Sequence, residues 1–226
     1  MTSMRSRIAV ALVMLSVAAV AAQSPGVHPI SGRRYAGVMG YQGADWLERS
    51  EREIEEEPEV ALNAIGLDPG QTVADVGAGS GYFTVRMARR VGPKGRVYAN
   101  DLQPEMLAML ASRLKKDNIS NVTLVQGTVD DPKLPAASLD LILMVDVYHE
   151  FSQPQKMLQH LREALKANGR LVLLEYRAED PDVPIRPEHK MTKAQVKLEV
   201  EHEGFKQSRV FDDLPWQHLF IFTKSS

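Results

Sequence analysis

Short hydrophobic runs alternate with amphipathic segments from residue 72 onwards. The runs TVADVG, RVYAND, NVTLVQG, LDLILMVDV and RLVLLEYR predict five strands. Segments with apolar residues every three or four positions predict helices between them, namely YFTVRMARRVG, QPEMLAMLASRLKKDN and QPQKMLQHLREALKANG, the last ending at Gly169. Because the fourth run is mostly apolar, its strand is expected to be buried on both faces. The alternation predicts a parallel sheet covered by helices on both sides.

The end of the chain carries a different pattern. After a predicted helix, KAQVKLEVEHEG, two strand-like runs, FKQSRVFD and QHLFIFTK, flank the sequence DLPW. They predict a hairpin in which one strand runs antiparallel to the rest of the sheet. The predicted fold class is therefore α/β, a Rossmann-like doubly wound sheet of seven mostly parallel strands with a C-terminal antiparallel hairpin. Met106, Leu107, Leu110 and Leu114 share one face of their predicted helix and are expected to be core.

The first 22 residues have the pattern of a secretory signal peptide. Arg5 and Arg7 precede an uncharged run from Ile8 to Ala22, near whose end lies an A-x-A cleavage pattern. This run of 15 residues is short for a membrane span. We therefore expect an exported or periplasmic protein in which only this segment contacts a membrane. An uncleaved, membrane-anchoring signal is the alternative.

Two further regions follow the segment 1–22. Residues 23–50 are rich in Gly, Pro and polar residues and predict an irregular cover segment, whose aromatic residues either cover a site or pack on the domain. Residues 51–226 are predicted to form the folded domain. The charge run from Glu48 to Glu59, at the boundary between these two regions, predicts a solvated helical face.

Composition excludes several classes of chemistry. The formal net charge is −2, and a dedicated nucleic-acid-binding protein is usually more basic, so no nucleic-acid partner is expected. The chain has no cysteine, which excludes disulfides, zinc–thiolate sites and a thiol nucleophile. No cluster with metal-ligand spacing stands out in the sequence, and the prediction for a metal is none.

A glycine-rich turn follows the first predicted strand, in the sequence VADVGAGSGYFT. Gly77, Gly79 and Gly81 are spaced G-x-G-x-G, and Tyr82 stands where a dinucleotide fingerprint has its third glycine. Asp101 ends the next strand, 24 residues after Gly77, where an acid can accept hydrogen bonds from a ribose diol. The set predicts a nucleoside ligand that need not carry phosphates.

Four motifs in order resemble the class I S-adenosylmethionine-dependent methyltransferases. They are VADVGAGSGYFT, VYANDLQPEML, LDLILMVDVYHEF and LKANGRLVLLEY, and the resemblance covers about residues 60–224. It implies S-adenosylmethionine as the cofactor. It also implies a seven-stranded sheet of order 3-2-1-4-5-7-6 with strand 7 antiparallel, in agreement with five strands and a hairpin.

The resemblance also implies which residues hold the cofactor. The methionine end would be lined by an acid in the first strand and the glycines after it, namely Asp75, Gly77, Gly79 and Gly81. Asp101 would bind the ribose hydroxyls, and Leu102 would flank the adenine. The family often has Gly-Asp-Ala after its third strand. This chain departs from that pattern, so either Thr128 or Asp130 is expected to contact the adenine.

Polar residues follow the fourth predicted strand, at the edge of the sheet where ligands collect. The resemblance implies that Asp146 faces the sulfonium and the substrate. His149 is either a general base or a packed structural histidine. Glu150 is expected to cap the next helix or to lie in solvent. His189 lies in a proline-rich loop that is either a lid or a solvated crossover.

The predicted function is methyl transfer from S-adenosylmethionine, with His149 or Asp146 as the base if the acceptor must lose a proton. The apolar and aromatic residues of the cover segment favour a small or lipid-like acceptor over RNA or protein. Two alternatives remain open. One is an aminopropyltransferase that uses decarboxylated S-adenosylmethionine, and the other is a non-catalytic nucleoside-binding domain.

Overall fold

A computed structural model describes residues 26–225. The predicted signal segment, 1–22, lies outside the described residues. Among the helices that are described, none combines the length and the apolarity needed to cross a bilayer. The cover segment, residues 26–50 in its described part, contains a 3₁₀ turn at Tyr41–Gly43 and the short helix α1, Ala44–Leu47.

The domain alternates strands and helices as predicted. The helices are α2 (Arg52–Glu55), α3 (Pro58–Ile65), α4 (Tyr82–Val91), α5 (Pro104–Lys116), α6 (Pro154–Ala164) and α7 (Lys193–His202). The strands are β1 (Thr72–Val76), β2 (Arg96–Asp101), β3 (Val122–Gln126), β4 (Leu139–Val145), β5 (Leu165–Arg177), β6 (Lys190–Met191), β7 (Phe205–Phe211) and β8 (Gln217–Lys224). Two more 3₁₀ turns lie at Tyr148–Glu150 and Pro187–His189.

The strands form one mixed sheet of order β3-β2-β1-β4-β5-β8-β7. Strands β1 to β5 pair in parallel, and β8 runs antiparallel to both β5 and β7. This arrangement confirms the predicted doubly wound sheet and its terminal hairpin. The sequence analysis missed β6, which has two residues and pairs with the end of β5.

Apolar side chains cover both faces of the central strands. On β4, Leu141 and Leu143 belong to one buried cluster, while Ile142 and Met144 belong to the other. Burying each such side chain contributes about 1.5–3 kcal/mol relative to leaving it exposed. The face of α5 that carries Met106, Leu107, Leu110 and Leu114 is buried, as predicted. The two layers hold the ends of β1 and β4 in fixed positions beneath the site.

The boundary between α6 and β5 differs from the prediction. The helix ends at Ala164, and Leu165 already pairs with Leu139 in the sheet. The pairing register shifts between Leu139 and Leu141, and a Cβ on Gly169 would lie 2.8 Å from the carbonyl oxygen of Leu139. Because Gly169 has no side chain, its backbone can approach that of Leu139 closely. The start of β5 is therefore an irregular strand rather than the end of a helix.

The acidic run after residue 48 is not a fully solvated helical face. Arg52 and Glu56 are buried, and the Arg52 Nη2 lies 2.7 Å from the Glu56 Oε2. Tyr176 on β5 donates its hydroxyl to the Glu56 Oε1 at 2.9 Å. Since a buried charge needs a partner, this pairing with distant β5 explains why a local charge pattern failed to predict the burial.

Candidate active site

A cavity of about 660 Å³ opens at the carboxyl ends of β1, β2 and β4. Strand order reverses between β1 and β4, and ligands of doubly wound sheets bind at such a switch point. The volume falls in the range of small-molecule and cofactor sites, which is about 300–1,000 Å³. The cavity is therefore the candidate active site.

The glycine turn after β1 presents backbone to this cavity. Gly77 and Gly79 line it, both with positive φ, and the Gly77 N–H donates to the Asn100 carbonyl oxygen at 2.9 Å. A Cβ on Gly79 would lie 2.8 Å from the Leu47 Cδ1. The positive φ and the close packing both favour glycine at these positions, which therefore line the cavity with backbone atoms alone.

Gly81 has a different position from the other two glycines. Gly81 is the residue immediately before α4 and has a φ of 92°. A Cβ at this position would lie 2.2 Å from the Leu110 Cδ1. It is not among the residues that line the cavity. Its place is therefore structural, in the close packing of α4 against α5, rather than at the predicted methionine end.

Asp101 lies at the wall of the cavity, at the end of β2. Its Oδ2 accepts the Gly79 N–H at 2.9 Å, and its Oδ1 accepts the Gln103 N–H at 2.9 Å. Each carboxylate oxygen can accept a second hydrogen bond, so a ribose diol can still bind. Burial raises the pKa of Asp101, although its backbone hydrogen bonds act in the opposite direction. Leu102 follows it, lining the cavity with 40% of its surface exposed.

Asp75 lies behind the wall and not on it. The Thr84 hydroxyl of α4 donates to the Asp75 Oδ2 at 2.5 Å. Burial raises the pKa of this carboxyl to about 6. Asp75 is not among the residues that line the cavity, because its side chain links β1 to α4, so the structure does not support direct contact with a ligand.

The two candidates for adenine contact are separated by the structure. Thr128 lines the cavity, whereas Asp130 is exposed outside it and lies 3.6 Å from the Lys156 ammonium. The Thr128 hydroxyl donates to the Asp130 Oδ1 at 2.8 Å. Asp130 thus orients Thr128 from the solvent side, and Thr128 is the one of the pair within reach of a ligand.

Asp146 lies at the end of β4 with a φ of 52°, which is strained for a residue with a Cβ. The Gln217 amide donates to its Oδ2 at 2.6 Å, while its buried Oδ1 has no hydrogen-bond partner among the described residues. Burial, together with the nearby Glu56 and Glu175, raises the pKa of Asp146 well above its usual value. An orphaned carboxylate oxygen on a cavity wall suits a cationic or proton-donating ligand.

His149 is buried and bonded through both ring nitrogens. Its Nδ1 lies 2.6 Å from the Glu175 Oε2, and its Nε2 lies 3.0 Å from the His189 Nδ1. Glu175 also accepts the Tyr148 N–H at 3.0 Å, which fixes its orientation. The sequence analysis missed Glu175. Glu175 is an acidic residue within the apolar run LVLLEYR, and the same pattern, an acid within an apolar strand, drew attention to Asp75.

Glu150 is neither a helix cap nor a solvated residue, contrary to the prediction. Its side chain lines the cavity, and the Met39 N–H donates to its Oε1 at 3.2 Å. Burial raises the pKa of Glu150 to about 7. His189 also lines the cavity, with its Nδ1 3.9 Å from the Glu150 Oε1. The loop after β5 therefore contributes a side chain to the site.

The cover segment closes one side of the cavity. Trp46 and Met39 line it, whereas Tyr35 and Tyr41 do not. The Gln103 side chain, near the end of β2, forms two hydrogen bonds to the backbone of this segment. Its Oε1 accepts the Tyr41 N–H at 2.9 Å, and its Nε2 donates to the Met39 carbonyl oxygen at 3.0 Å. The opposite side is formed by Pro184, Ile185 and Arg186 of the loop after β5.

These groups fit an adenosyl ligand that carries a positive charge. The backbone of Gly77 and Gly79 leaves room for the ligand, and Asp101 can accept from a diol. Asp146 and His149 line the same cavity, and the buried Oδ1 of Asp146 has no hydrogen-bond partner among the described residues. The arrangement can hold a nucleoside at one end and a second small molecule at the other.

Comparisons with known proteins agree with this geometry. Residues 67–217 match the model of a family described as "Methyltransferase domain". The ubiquinone/menaquinone biosynthesis C-methyltransferase UbiE of Vibrio vulnificus is 32% identical over 116 residues, 51% of this chain and 45% of that protein. The chain therefore spans about half the length of the curated relatives it matches.

Solved structures extend the similarity to most of the chain. A SAM-dependent methyltransferase from Aquifex aeolicus superposes with a TM-score of 0.78 at 29% identity, over 82% of this chain and 98% of that one. A TehB-like SAM-dependent methyltransferase from Corynebacterium glutamicum shares the fold, with a TM-score of 0.61 at 15% identity, over 82% of this chain and 100% of that one. The matches confirm the predicted cofactor class.

Proposed function

The chain belongs to the methyltransferase domain family, among the class I S-adenosylmethionine-dependent methyltransferases, and on this premise we propose that it methylates a small, largely apolar, lipid-like acceptor. The observation that carries the proposal is the continuity of one cavity. It extends from the glycine turn and Asp101 to His149 and His189, beneath the cover segment. A nucleoside and a small acceptor can therefore meet in one partly covered space.

Residues at the β1–β2 side of the cavity would hold the cofactor. S-adenosylmethionine supplies a methyl group already activated on its sulfonium. Gly77 and Gly79 would lie against it through their backbone, and Asp101 would accept from its ribose hydroxyls. Leu102 offers an exposed apolar surface for the adenine, and Thr128 lies on the same wall. The protein's main contribution is then orientation of the two reactants.

The acceptor side of the cavity is apolar apart from a few polar groups. Apolar side chains that line the cavity as a whole include Met39, Trp46, Val147, Phe151 and Ile185. Such a surface favours a ring or an isoprenoid-like chain over a peptide or a nucleic acid, because burial of apolar area drives binding. The curated relative whose printed name includes ubiquinone and menaquinone supports a quinone-like ring as the acceptor class.

Asp146 and His149 stand at the polar end of the acceptor side. Asp146 has an unpartnered carboxylate oxygen, and His149 is held in orientation by Glu175. Asp146 can receive a hydrogen bond from an acceptor hydroxyl or an acidic C–H, and His149 could do so only if its Nε2 exchanged His189 for the acceptor. Their catalytic roles stay predictions, each testable by substitution.

Methyl transfer to a panel of acceptors tests the proposal. Purified protein is incubated with methyl-labelled S-adenosylmethionine and, separately, with short-chain hydroquinones, simple phenols, an unstructured peptide and transfer RNA. We expect label in the hydroquinones or phenols, and a rate lower by at least about tenfold in Asp146→Asn. Asp213→Ala, at an exposed carboxylate outside the cavity, is the matched control and should keep the wild-type rate. Label in the peptide or RNA alone would contradict the proposed acceptor class.

We also propose that the protein acts outside the cytosol. The proposal rests on the signal-like pattern of residues 1–22, which precede the described part of the chain. The complete absence of cysteine is compatible with an oxidising compartment.

A further inference from the structure

Three potential metal ligands meet at the acceptor end of the cavity, although 40 residues separate the first from the last. The His149 Nε2 lies 3.0 Å from the His189 Nδ1, which lies 3.9 Å from the Glu150 Oε1. One ligand atom from each of the three lies within 4.8 Å of the others. Metal–ligand bonds of about 2.0–2.2 Å place neighbouring ligand atoms about 3–3.5 Å apart, so only a small adjustment would bring all three onto one ion.

Neighbouring groups form hydrogen bonds to these side chains and orient them, as happens to the ligands of a metal site. Glu175 accepts from the His149 Nδ1 at 2.6 Å, which leaves a lone pair on the Nε2 of the neutral ring. A carboxylate behind a ligating histidine fixes its tautomer and raises its basicity. The Met39 N–H holds the Glu150 carboxylate at 3.2 Å. Two of the three candidate ligands thus have an orienting partner.

The fold also explains how the third ligand reaches the other two. His189 ends the 3₁₀ turn Pro187–His189, and the next residue, Lys190, begins β6. Lys190 pairs with Tyr176, the residue after Glu175 on β5. The two-residue strand therefore fixes the loop after β5 directly over the 3₁₀ turn that carries His149 and Glu150.

We propose that His149, Glu150 and His189 bind a divalent transition-metal cation at the acceptor end of the cavity. Two imidazole nitrogens and one carboxylate suit zinc, iron, cobalt or manganese better than calcium or magnesium. Three protein ligands leave coordination positions open. All three residues line the cavity, so those positions face the space where the acceptor would lie.

The metal would select the acceptor's chemistry, and this part rests on the proposed function. An acceptor with a hydroxyl or carbonyl oxygen could occupy an open position, and a coordinated hydroxyl has a lowered pKa. The inference narrows the acceptor to an apolar molecule with an oxygen donor at one end. It also gives His149 the role of a metal ligand rather than of a free base.

Cobalt titration tests the site without any acceptor. Protein without a histidine tag is stripped with a chelator, dialysed and titrated with Co²⁺, which is followed by its visible absorption. We expect about one Co²⁺ per chain, displaced by Zn²⁺. His189→Ala and Glu150→Gln should lower the Co²⁺ affinity at least about tenfold, and Glu175→Gln about 10–100-fold.

Matched controls separate this site from unspecific binding and from misfolding. His202 is exposed and its Nδ1 lies 2.9 Å from the Glu203 carboxylate. His202→Ala therefore removes a histidine next to a carboxylate outside the proposed site, and should leave Co²⁺ binding unchanged. S-adenosylhomocysteine affinity, measured in parallel, reports whether each variant is folded. His189 is the main test position because it lies in a loop and is less buried than His149.

Two results would overturn the metal site. One is the absence of stoichiometric Co²⁺ binding by the stripped wild-type protein, and the other is equal Co²⁺ affinity in wild type and folded His189→Ala. Either would reduce the cluster to a hydrogen-bonded histidine pair. Because the readout contains no methyl transfer, Co²⁺ binding without methylation of any apolar acceptor would sustain the metal site and contradict only the proposed function.

Discussion

Buried carboxylates at the ends of neighbouring strands have different partners, and those partners separate their roles. The Asp75 carboxylate is held by Thr84, and the two oxygens of Asp101 accept backbone N–H groups. Glu175 is bonded to His149 and to the backbone of the turn after β4. Asp146 alone of these four has a buried oxygen without a partner among the described residues. Because Asp146 also lines the cavity, this unmet hydrogen bond makes it the first of the four to test for contact with a ligand.

Replacement of Asp101 should weaken cofactor binding. If its carboxylate accepts from the ribose hydroxyls, Asp101→Ala should reduce the binding free energy for S-adenosylhomocysteine by about 1.5–3 kcal/mol, as expected for hydrogen bonds to a charged group. Calorimetric titration measures the change. The control is Asp213→Ala, expected to bind as wild type because the exposed Asp213 lies outside the cavity. Unchanged affinity with a lowered Tm in Asp101→Ala would make Asp101 a structural group.

Asp75 should make stability fall as pH rises. Burial raises its pKa in the folded state to about 6 from a usual value of 3.8, so between these values the folded protein holds a proton that the unfolded chain has released. Stability therefore decreases from about pH 4 to pH 6, and the cost of the buried charge persists above pH 6. Asp75→Asn removes this charge while its amide oxygen still accepts from Thr84.

The expected gain in Asp75→Asn is about 1–3 kcal/mol in the free energy of unfolding at pH 8 and little at pH 4, since one pKa unit corresponds to about 1.4 kcal/mol. Urea unfolding at the two pH values measures it. Asp213→Asn, at an exposed carboxylate, should not alter the difference between the two pH values. A variant that is equally destabilised at both would show that Asp75 is needed as an anion.

At the scale of elements, the parts that the sequence predicted are those fixed by local periodicity. The apolar residues of β4 specify a strand buried on both faces, and the stripe on α5 specifies a buried helix face. Predictions failed where distant pairing decides the local structure. Helix α6 ends earlier than predicted because Leu165 pairs with Leu139 in the sheet. Glu56 is buried where it accepts a hydrogen bond from Tyr176 of β5.

The site was predictable to a similar extent. Gly77 and Gly79 of the glycine turn, Asp101, Asp146 and His149 line the cavity, as their places at strand ends led us to expect, whereas Gly81 and Asp75 do not. The contact of His149 with His189 depends on β6, whose two residues carry no periodic signal. The histidine–carboxylate cluster is therefore a product of tertiary structure, which explains why the sequence predicted no metal ligands.

A buried ion pair between Arg33 and Glu199 should be among the contacts that hold the cover segment in place. Glu199 of α7 accepts from the Arg33 Nε at 2.9 Å, and the Arg33 Nη1 donates to the His149 carbonyl oxygen at 2.9 Å. Glu199→Ala leaves a buried guanidinium uncompensated, so we expect a loss of about 3–5 kcal/mol in the free energy of unfolding. Limited trypsin digestion should then cleave residues 26–50 faster.

Two further variants decide whether charge or packing is responsible. Glu163→Ala removes a carboxylate from the exposed pair with His160, and should cost less than about 1 kcal/mol. Replacement of both members of the buried pair, Arg33→Leu with Glu199→Leu, should recover most of the lost stability. Equal losses in the single and the double variants would contradict a role for the unpaired charge.

At the scale of the whole molecule, segments distant in sequence line a single, partly open cavity. The cover segment precedes the sheet, and the loop after β5 follows most of it, yet both line the same space. The family match begins at residue 67 and so does not include the cover segment. We infer that the cover segment, which lies outside the match, and the loop after β5, which lies within it, together determine which acceptor fits.

Export predicts a defined mature N-terminus. Expressed in a bacterial host, the protein should be recovered from the periplasmic or extracellular fraction and begin close to residue 22, since a signal peptide is removed on translocation. N-terminal sequencing and fractionation measure this. Leu12→Arg places a charge in the apolar run and should retain the chain in the cytosol. An intact N-terminus in the wild-type membrane fraction would establish the anchored alternative, and one in the cytosol would contradict export.

The orientation of S-adenosylhomocysteine in a crystal structure of the complex tests the central claim most directly. The account predicts that its ribose hydroxyls lie within hydrogen-bond distance of the Asp101 carboxylate, with Leu102 beside the adenine. It also predicts that the sulfur faces along the cavity toward Asp146 and His149, with space for an apolar acceptor between them. A complex in which the ribose lies away from Asp101, or in which the sulfur faces away from His149, would contradict the account.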